Sequence, residues 1–308
     1  MSQFSEDLDA DRFQAALTRR FLQPALAGLE RTLLDVRAET DRALQSTAAA
    51  RYGHPYPYGY CAEITLDVMR RLRTRLSRPR SAGERALKTF LSQGGEGRMV
   101  WGVLRDRYFQ NAIQFGSLYV DVSNDTVDIN KPKVEILPMR EAGLEPVRDT
   151  AHFVRIGEAY WGGRLYANTA LPSLAPVFPM ILVDHRGGVQ LQARNSRMID
   201  LFAADGFRRA ELWLAEGPGP PLEAVAALRA ACSNGLLAEN AVPGVGASLE
   251  ACRRMRAAAL VLDEAWMLRM FALYDRAPSA RLGDVSGAVA DIKRSNTRLH
   301  AGAFGITA

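Results

Sequence analysis

Hydrophobic positions along the chain change period twice. Up to about residue 92 they recur at the three- and four-residue spacing of one helix face. Phe13, Ala16, Leu17 and Leu22 mark a first stretch from about 8 to 22, and a long helix follows from Pro24 to about Ala48. Pro24 suits a first helical turn, where no intrahelical bond needs its missing N–H. Arg51-Tyr-Gly-His-Pro-Tyr-Pro-Tyr-Gly-Tyr60 then breaks the pattern with two prolines and two glycines and reads as a loop. A helix is expected from Cys61 to just before Pro79. Ser81-Ala-Gly-Glu84 has capping-box spacing and opens a short helix to about Leu91.

From Met99 to Gln192 the period is two. The candidate strands are 98–104, 108–115, 118–123, 133–137, 152–158, 163–167, 177–183 and 188–192. Gly116-Ser117 fits a two-residue hairpin turn with glycine first, as type II′ requires. Gly162-Gly163 and Gly187-Gly188 read as further turns. Helical spacing returns at about 195–204, 207–215, 221–233, 248–275 and 285–299. The class is therefore α+β, a central antiparallel sheet between N-terminal and C-terminal helical blocks, with the cysteine-bearing helix packed on the sheet. Residues 1–192 would hold the helical block and sheet core. Residues 193–308 would form a C-terminal helical region packed on it, the whole being compatible with a single domain.

Composition narrows the class without naming a function. Of 308 residues, 48% are apolar and 24% charged, which excludes disordered and collagen-like chains. The net charge of +5 is small for this length. Cys61, Cys232 and Cys252 are too few and too scattered for a disulfide framework. Together with His54, His152, His185 and His300 they show no metal-ligand spacing, so neither a metal nor a cofactor is expected. Neither a dinucleotide fingerprint nor a P-loop is present. The acidic start is unlike a secretory signal, and the apolar stretch 257–274 carries Asp263, Glu264 and Arg269. A cytoplasmic protein with no membrane partner is expected.

Candidate chemistry centres on Cys61. On a helical wheel Cys61, Thr65, Val68, Met69, Leu72 and Leu76 share one face, so the cysteine opens a helix and turns inward. Unpaired N–H groups at a helix start favour a thiolate. Gly59-Tyr60-Cys61-Ala62-Glu63 resembles the nucleophile segment of the transglutaminase-like superfamily, its arylamine N-acetyltransferase branch in particular. Leu118-Tyr119-Val120-Asp121-Val122 resembles that superfamily's aspartate strand, and the interval from Cys61 to Asp121 is 60 residues. The resemblance covers residues 52–128. It implies a cysteine that attacks an acyl group, a histidine base and an aspartate that orients the base.

The histidine position departs from that pattern. If Gly116-Ser117 is the turn, Gln114 faces Tyr119, and Gln110, Ala112 and Gln114 share the Asp121 side. Asn111 points the other way with Ile113 and Phe115. No residue from Asp106 to Phe115 is His, and Gln110 or Gln114 can donate and accept hydrogen bonds but cannot serve as a base. Substitute bases would be His54, in the tyrosine-rich loop, or His152, at the start of the 152–158 strand.

Three further segments bear on function. Asp121, Asp125 and Asp128 lack the alternation of a calcium loop and read as a turn held by Asn/Asp side chains. Arg70 to Arg80 contains six arginines, read as a solvated helix face rather than a nucleic-acid footprint. Met255, Leu262, Trp266, Met270 and Tyr274 in 248–275 read as core, with a homo-oligomer interface as the alternative. The expectation is a degenerate transglutaminase-like cleft that binds a peptide or small-molecule acyl or amide ligand without an intact triad. The alternatives are an active thiol acyltransferase or amide hydrolase with a substitute base, and a non-enzymatic interaction protein.

Overall fold

The structure, a computed structural model, describes residues 8–282 apart from Tyr52, Arg194, residues 259–262 and Pro278. The helix expected over 285–299 lies outside the described residues. The chain is α+β and parts into two compact units between Pro146 and Val147. Its strands make two antiparallel sheets rather than one. The boundary therefore falls well before residue 192, because strands 163–192 pair among themselves and with a later strand.

In the N-terminal unit α1 (Arg12–Leu17) is capped by Asp11, whose carboxylate accepts the Gln14 N–H at 2.7 Å. A π turn (Thr18–Leu22) and a 3-10 turn (Gln23–Ala25) holding Pro24 lead into α2 (Leu26–Gln45). Next come α3 (Cys61–Ser77) and α4 (Ala82–Ser92), the latter with a complete Ser81/Glu84 capping box. The strands are β1 (Gly97–Leu104), β2 (Tyr108–Phe115), β3 (Leu118–Asp121), β4 (Glu135–Pro138) and β5 (Leu144–Glu145), in the order β4-β3-β2-β1-β5. Gly116 takes φ +55°, and Gln114 faces Tyr119. That register sorts the side chains. Ile113, Phe115 and Val120 join Leu29, Ile64, Val68 and Phe90 in a core under the helices. Val100, Ala112, Tyr119 and Met139 form a second core on the opposite face.

Helices α2 and α4 touch backbone to backbone at Gly28 and Gly83. A Cβ on Gly83 would lie 2.3 Å from the Gly28 carbonyl oxygen, which has no rotamer with which to yield. Gly83→Ala is expected to lower stability by about 1–3 kcal/mol, the usual cost of overpacking. A denaturant melt beside Gly28→Ala, whose Cβ would meet its nearest atom at 3.3 Å, checks this.

The C-terminal unit begins with α5 (Thr150–Trp161), followed by β6 (Gly163–Ala167), β7 (Met180–Asp184) and β8 (Gly188–Gln192). Then follow α6 (Ser196–Ala203), α7 (Arg208–Glu216), α8 (Leu222–Ala230), α9 (Asn234–Glu239), α10 (Val245–Ala257), α11 (Glu264–Asp275) and β9 (Ser279–Arg281). The sheet order is β6-β7-β8-β9. Two expectations are corrected. Residues 152–158 are helix, not strand: Asp149 caps α5 by accepting the His152 N–H, Phe153, Ile156 and Gly157 are buried at helical spacing, and Gly162 ends it with φ +63°. The single helix over 248–275 is two, and Asp263 accepts the Trp266 N–H at 2.7 Å in the manner of a fresh N-cap. Trp266 and Met270 are buried in this chain. No helix among the described residues is long and apolar enough to cross a membrane.

Candidate functional site around Cys61

The loop before α3 is held from several sides. Arg51 donates to the Gly59 carbonyl and to Glu63 at 2.8 and 2.7 Å, and its guanidinium lies 3.7 Å from the Tyr60 ring centroid. The Gly59 N–H donates to the Thr126 carbonyl, the Tyr60 hydroxyl to the Ala49 carbonyl, and the Tyr56 hydroxyl to Asp41. Tyr56 and Tyr60 thus serve to fasten the loop rather than to offer a free stacking platform. The helix starts at Cys61, half-buried, with Thr65 fully buried one turn on.

The sulfur meets an amide. Asn111 Nδ2 donates to Cys61 Sγ at 3.3 Å, and no other described side chain hydrogen-bonds that sulfur. The Asn111 backbone carbonyl in turn lies within hydrogen-bond reach of two hydroxyls, Thr65 Oγ1 at 3.4 Å and Ser123 Oγ at 3.3 Å. Thr65 also donates to the Cys61 carbonyl at 2.7 Å. Burial pushes the Cys61 thiol up. The Asn111 hydrogen bonds oppose the rise, and the carboxylates of Asp121 and Glu63 add to it.

Asp121 sits on the other face of the sheet, wholly buried. One oxygen accepts Gln110 Nε2 at 2.6 Å and the Tyr119 hydroxyl at 3.0 Å. The other accepts the Ser123 N–H at 2.7 Å and its hydroxyl at 3.1 Å. Burial nevertheless raises its carboxyl above the ordinary value, with Gln110, Ser123 and Tyr119 working against it. Ser123 therefore borders both clusters, which the sheet otherwise separates.

The other candidates lie elsewhere. Gln114 does not reach Asp121. Its amide donates to the Leu8 and Gly116 carbonyls and accepts from Arg98, which fastens the N-terminal segment to β2. A cleft of about 170 Å³ adjoins it, lined by Asp9, Asp11, Gln14, Glu96 and Arg98, well short of the few hundred Å³ of a typical ligand pocket. His54 is exposed, with its ring 4.3 Å from that of Tyr58 and its backbone bridged to Arg51. His152 belongs to the C-terminal unit, where its Nδ1 accepts the Arg148 N–H at 3.3 Å.

Several charges that looked available in the sequence are paired or hydrogen-bonded within the N-terminal unit. Asp125 holds the fully buried Arg37 guanidinium at 2.8 and 3.0 Å, and Asp128 accepts from the Asn130 N–H within its own turn. Among the described residues no group of three or more His, Cys, Asp or Glu could hold a metal ion. Arg70 and Arg71 pair with Asp67, Arg71 and Arg75 with Glu39, and Arg75 with Glu84.

No protein-family model matches the chain, and neither a curated protein nor a solved structure is found similar to it. Asn111, Thr65 and Ser123 were not singled out in the sequence. Strand parity turned Asn111 to the sheet face away from Asp121, and the inward face of the Cys61 helix holds Thr65. Together those two signals could have pointed to the amide–sulfur contact.

Proposed function

We propose that residues 5–146 form a binding module with a transglutaminase-like pairing of cysteine helix and sheet, which holds a peptide or small acyl or amide ligand beside Cys61 without turning it over. The observation that carries this is the 3.3 Å contact of Asn111 Nδ2 with Cys61 Sγ. An amide occupies the place where thiol chemistry needs a base, and an amide takes no proton at neutral pH. The helix start offers about 0.3–1 kcal/mol toward the thiolate, less than one pKa unit, and burial works against it. The carboxylate that would orient a base is turned to the opposite face and saturated by Gln110, Tyr119 and Ser123. Cys61, half-buried at the start of α3, and the Asn111 carboxamide on β2 beside it are the groups that would meet a ligand carbonyl or amide.

A second reading, thiol acyl transfer or amide hydrolysis, draws on the position of Cys61 in the first turn of α3. One titration separates the two. Iodoacetamide alkylation of the native chain, followed by mass spectrometry of the Cys61 peptide across pH 6–10, is expected to rise with a midpoint above about 8.5, the ordinary thiol value. His54→Ala and His152→Ala should leave the profile unchanged. A midpoint below about 7 that is lost in either histidine variant would establish the enzyme reading instead.

A further inference from the structure

We infer that the outer edge of β1, from Gly97 to Trp101, takes up an extended peptide as an added strand, which names the ligand class for the binding module and rests on that reading. In an antiparallel pair the residues alternate between exchanging hydrogen bonds with the partner strand and turning their N–H and C=O away from it. The Gly116 N–H donates to the Glu96 carbonyl, and the Arg107 N–H to the Leu104 carbonyl. With Arg98 opposite Gln114 and Val100 opposite Ala112, the even-numbered residues of β1 bond to β2. Gly97, Met99, Trp101 and Val103 therefore turn their backbone groups outward. The Arg105 N–H follows the same parity and donates to the Gly143 carbonyl at 2.7 Å.

Short β5 covers that edge only at Val103 and Leu104, and Pro146, which has no N–H to give, ends it. Beyond it, no described residue hydrogen-bonds the outward N–H and C=O of Met99 and Trp101. Such a row of alternating donors and acceptors is complementary to an extended polypeptide backbone and to little else. Strand addition at this edge is already in use, since β5 makes it within the chain.

The surroundings supply side-chain recognition. Trp101 stands opposite Asn111 in the register, and both are half-buried. Hydrogen bonds tie α2 to the Val122 and Asp125 end of the sheet, and α3 to β2 at Asn111. The flank of α3 turned away from α2 carries Leu66, 57% exposed, and half-buried Met69. An added strand would present every second side chain to this apolar flank and run its backbone past the Cys61–Asn111 end. The occupant is thus an extended peptide with apolar residues at alternating positions.

The test pans a phage-displayed library of random dodecapeptides against the immobilised full chain and synthesises the enriched peptides. The expected result is enrichment of alternating apolar sequences whose affinity drops roughly tenfold or more in Met99→Pro, which removes an outward N–H and no β1–β2 bond. N-methylation of alternate peptide amides should abolish binding in one register and leave it in the other. That scan uses the unaltered chain and decides the matter if Met99→Pro fails to fold. Absence of enrichment, or binding indifferent to both changes, overturns the inference. Sedimentation showing a dimer that Met99→Pro dissociates gives the edge to a second copy and overturns it as well. The Cys61 alkylation profile is read separately. A thiol midpoint below about 7 with edge binding intact removes only the non-catalytic reading, and an ordinary thiol with an inert edge removes only this inference.

Discussion

Arg37→Met is expected to be among the most damaging single substitutions in the N-terminal unit, with a loss of about 3–5 kcal/mol. Arg37 is wholly buried in α2. Its guanidinium donates to Asp125 through two nitrogens, to the Val122 carbonyl at 2.7 Å and to Asp41 at 2.7 Å. Hydrogen bonding to both carboxylates holds the charge on Arg37 despite burial. Methionine matches much of the side-chain volume, so the loss reports the stranded carboxylates rather than a cavity. Asp125 has no water to turn to at 4% exposure. At roughly 2–4 °C per kcal/mol, the thermal midpoint should fall by about 6–20 °C. A calorimetric scan of Arg37→Met beside the double variant Arg37→Met/Asp125→Leu is the check. The second change removes the orphaned charge and should restore part of the midpoint. A drop of under about 1 kcal/mol in the single variant would show that the pair contributes nothing net.

Asp121→Ala is the second large effect, at about 3 kcal/mol or more. It strips the acceptor from Gln110 Nε2, the Tyr119 hydroxyl and the Ser123 N–H in a dry site, where an unmet donor costs about 1–3 kcal/mol. Asp121→Asn keeps the shape and should cost less. It also carries a pH signature. The folded carboxyl of Asp121 is raised, so the native state holds its proton more tightly than the unfolded chain. Its favourable contribution is complete below the unfolded value of about 3.9 and is lost as pH rises through the raised folded value. The deficit of Asp121→Asn should therefore be largest in acid and narrow toward neutrality. Chemical denaturation of both proteins at several pH values measures it, and a deficit that widens with pH would show that the hydrogen bonds outweigh burial. Because Asp121 faces away from the thiol, neither variant should shift the Cys61 alkylation midpoint by more than about one unit, the scale of a weak through-space interaction.

Much of the fold was legible because local periodicity carried it. The capping box at Ser81, the Gly116 turn and the register of Gln114 against Tyr119 each depend on a few adjacent residues, and all three are present. The helix at 150–161 was missed because Phe153, Val154 and Ile156 suit either period, and the decision lies in the Asp149 cap and the Gly162 stop. The candidate site was legible by halves. Gln110 reaches Asp121 as parity required, whereas Gln114, one pleat along the same face, is drawn to the Leu8 carbonyl by a segment about a hundred positions away. Nothing local to Gln114 announces that partner.

By itself the sequence determined the α+β class, the antiparallel hairpin, the start of the Cys61 helix and the absence of histidine from the β2 positions beside Asp121. These follow from side-chain period, turn stereochemistry and residue identity, which act over a few residues. Tertiary structure alone decided that the strands divide into two sheets and that Arg70, Arg71 and Arg75 of α3 are matched by Glu39, Asp67 and Glu84. It also decided that Asn111, not a glutamine, meets the thiol, and that among the described residues β5 pairs with β1 only at Val103 and Leu104. Each of those outcomes depends on which distant groups compete for the same donor, charge or strand edge, and only the packed chain brings the competitors together.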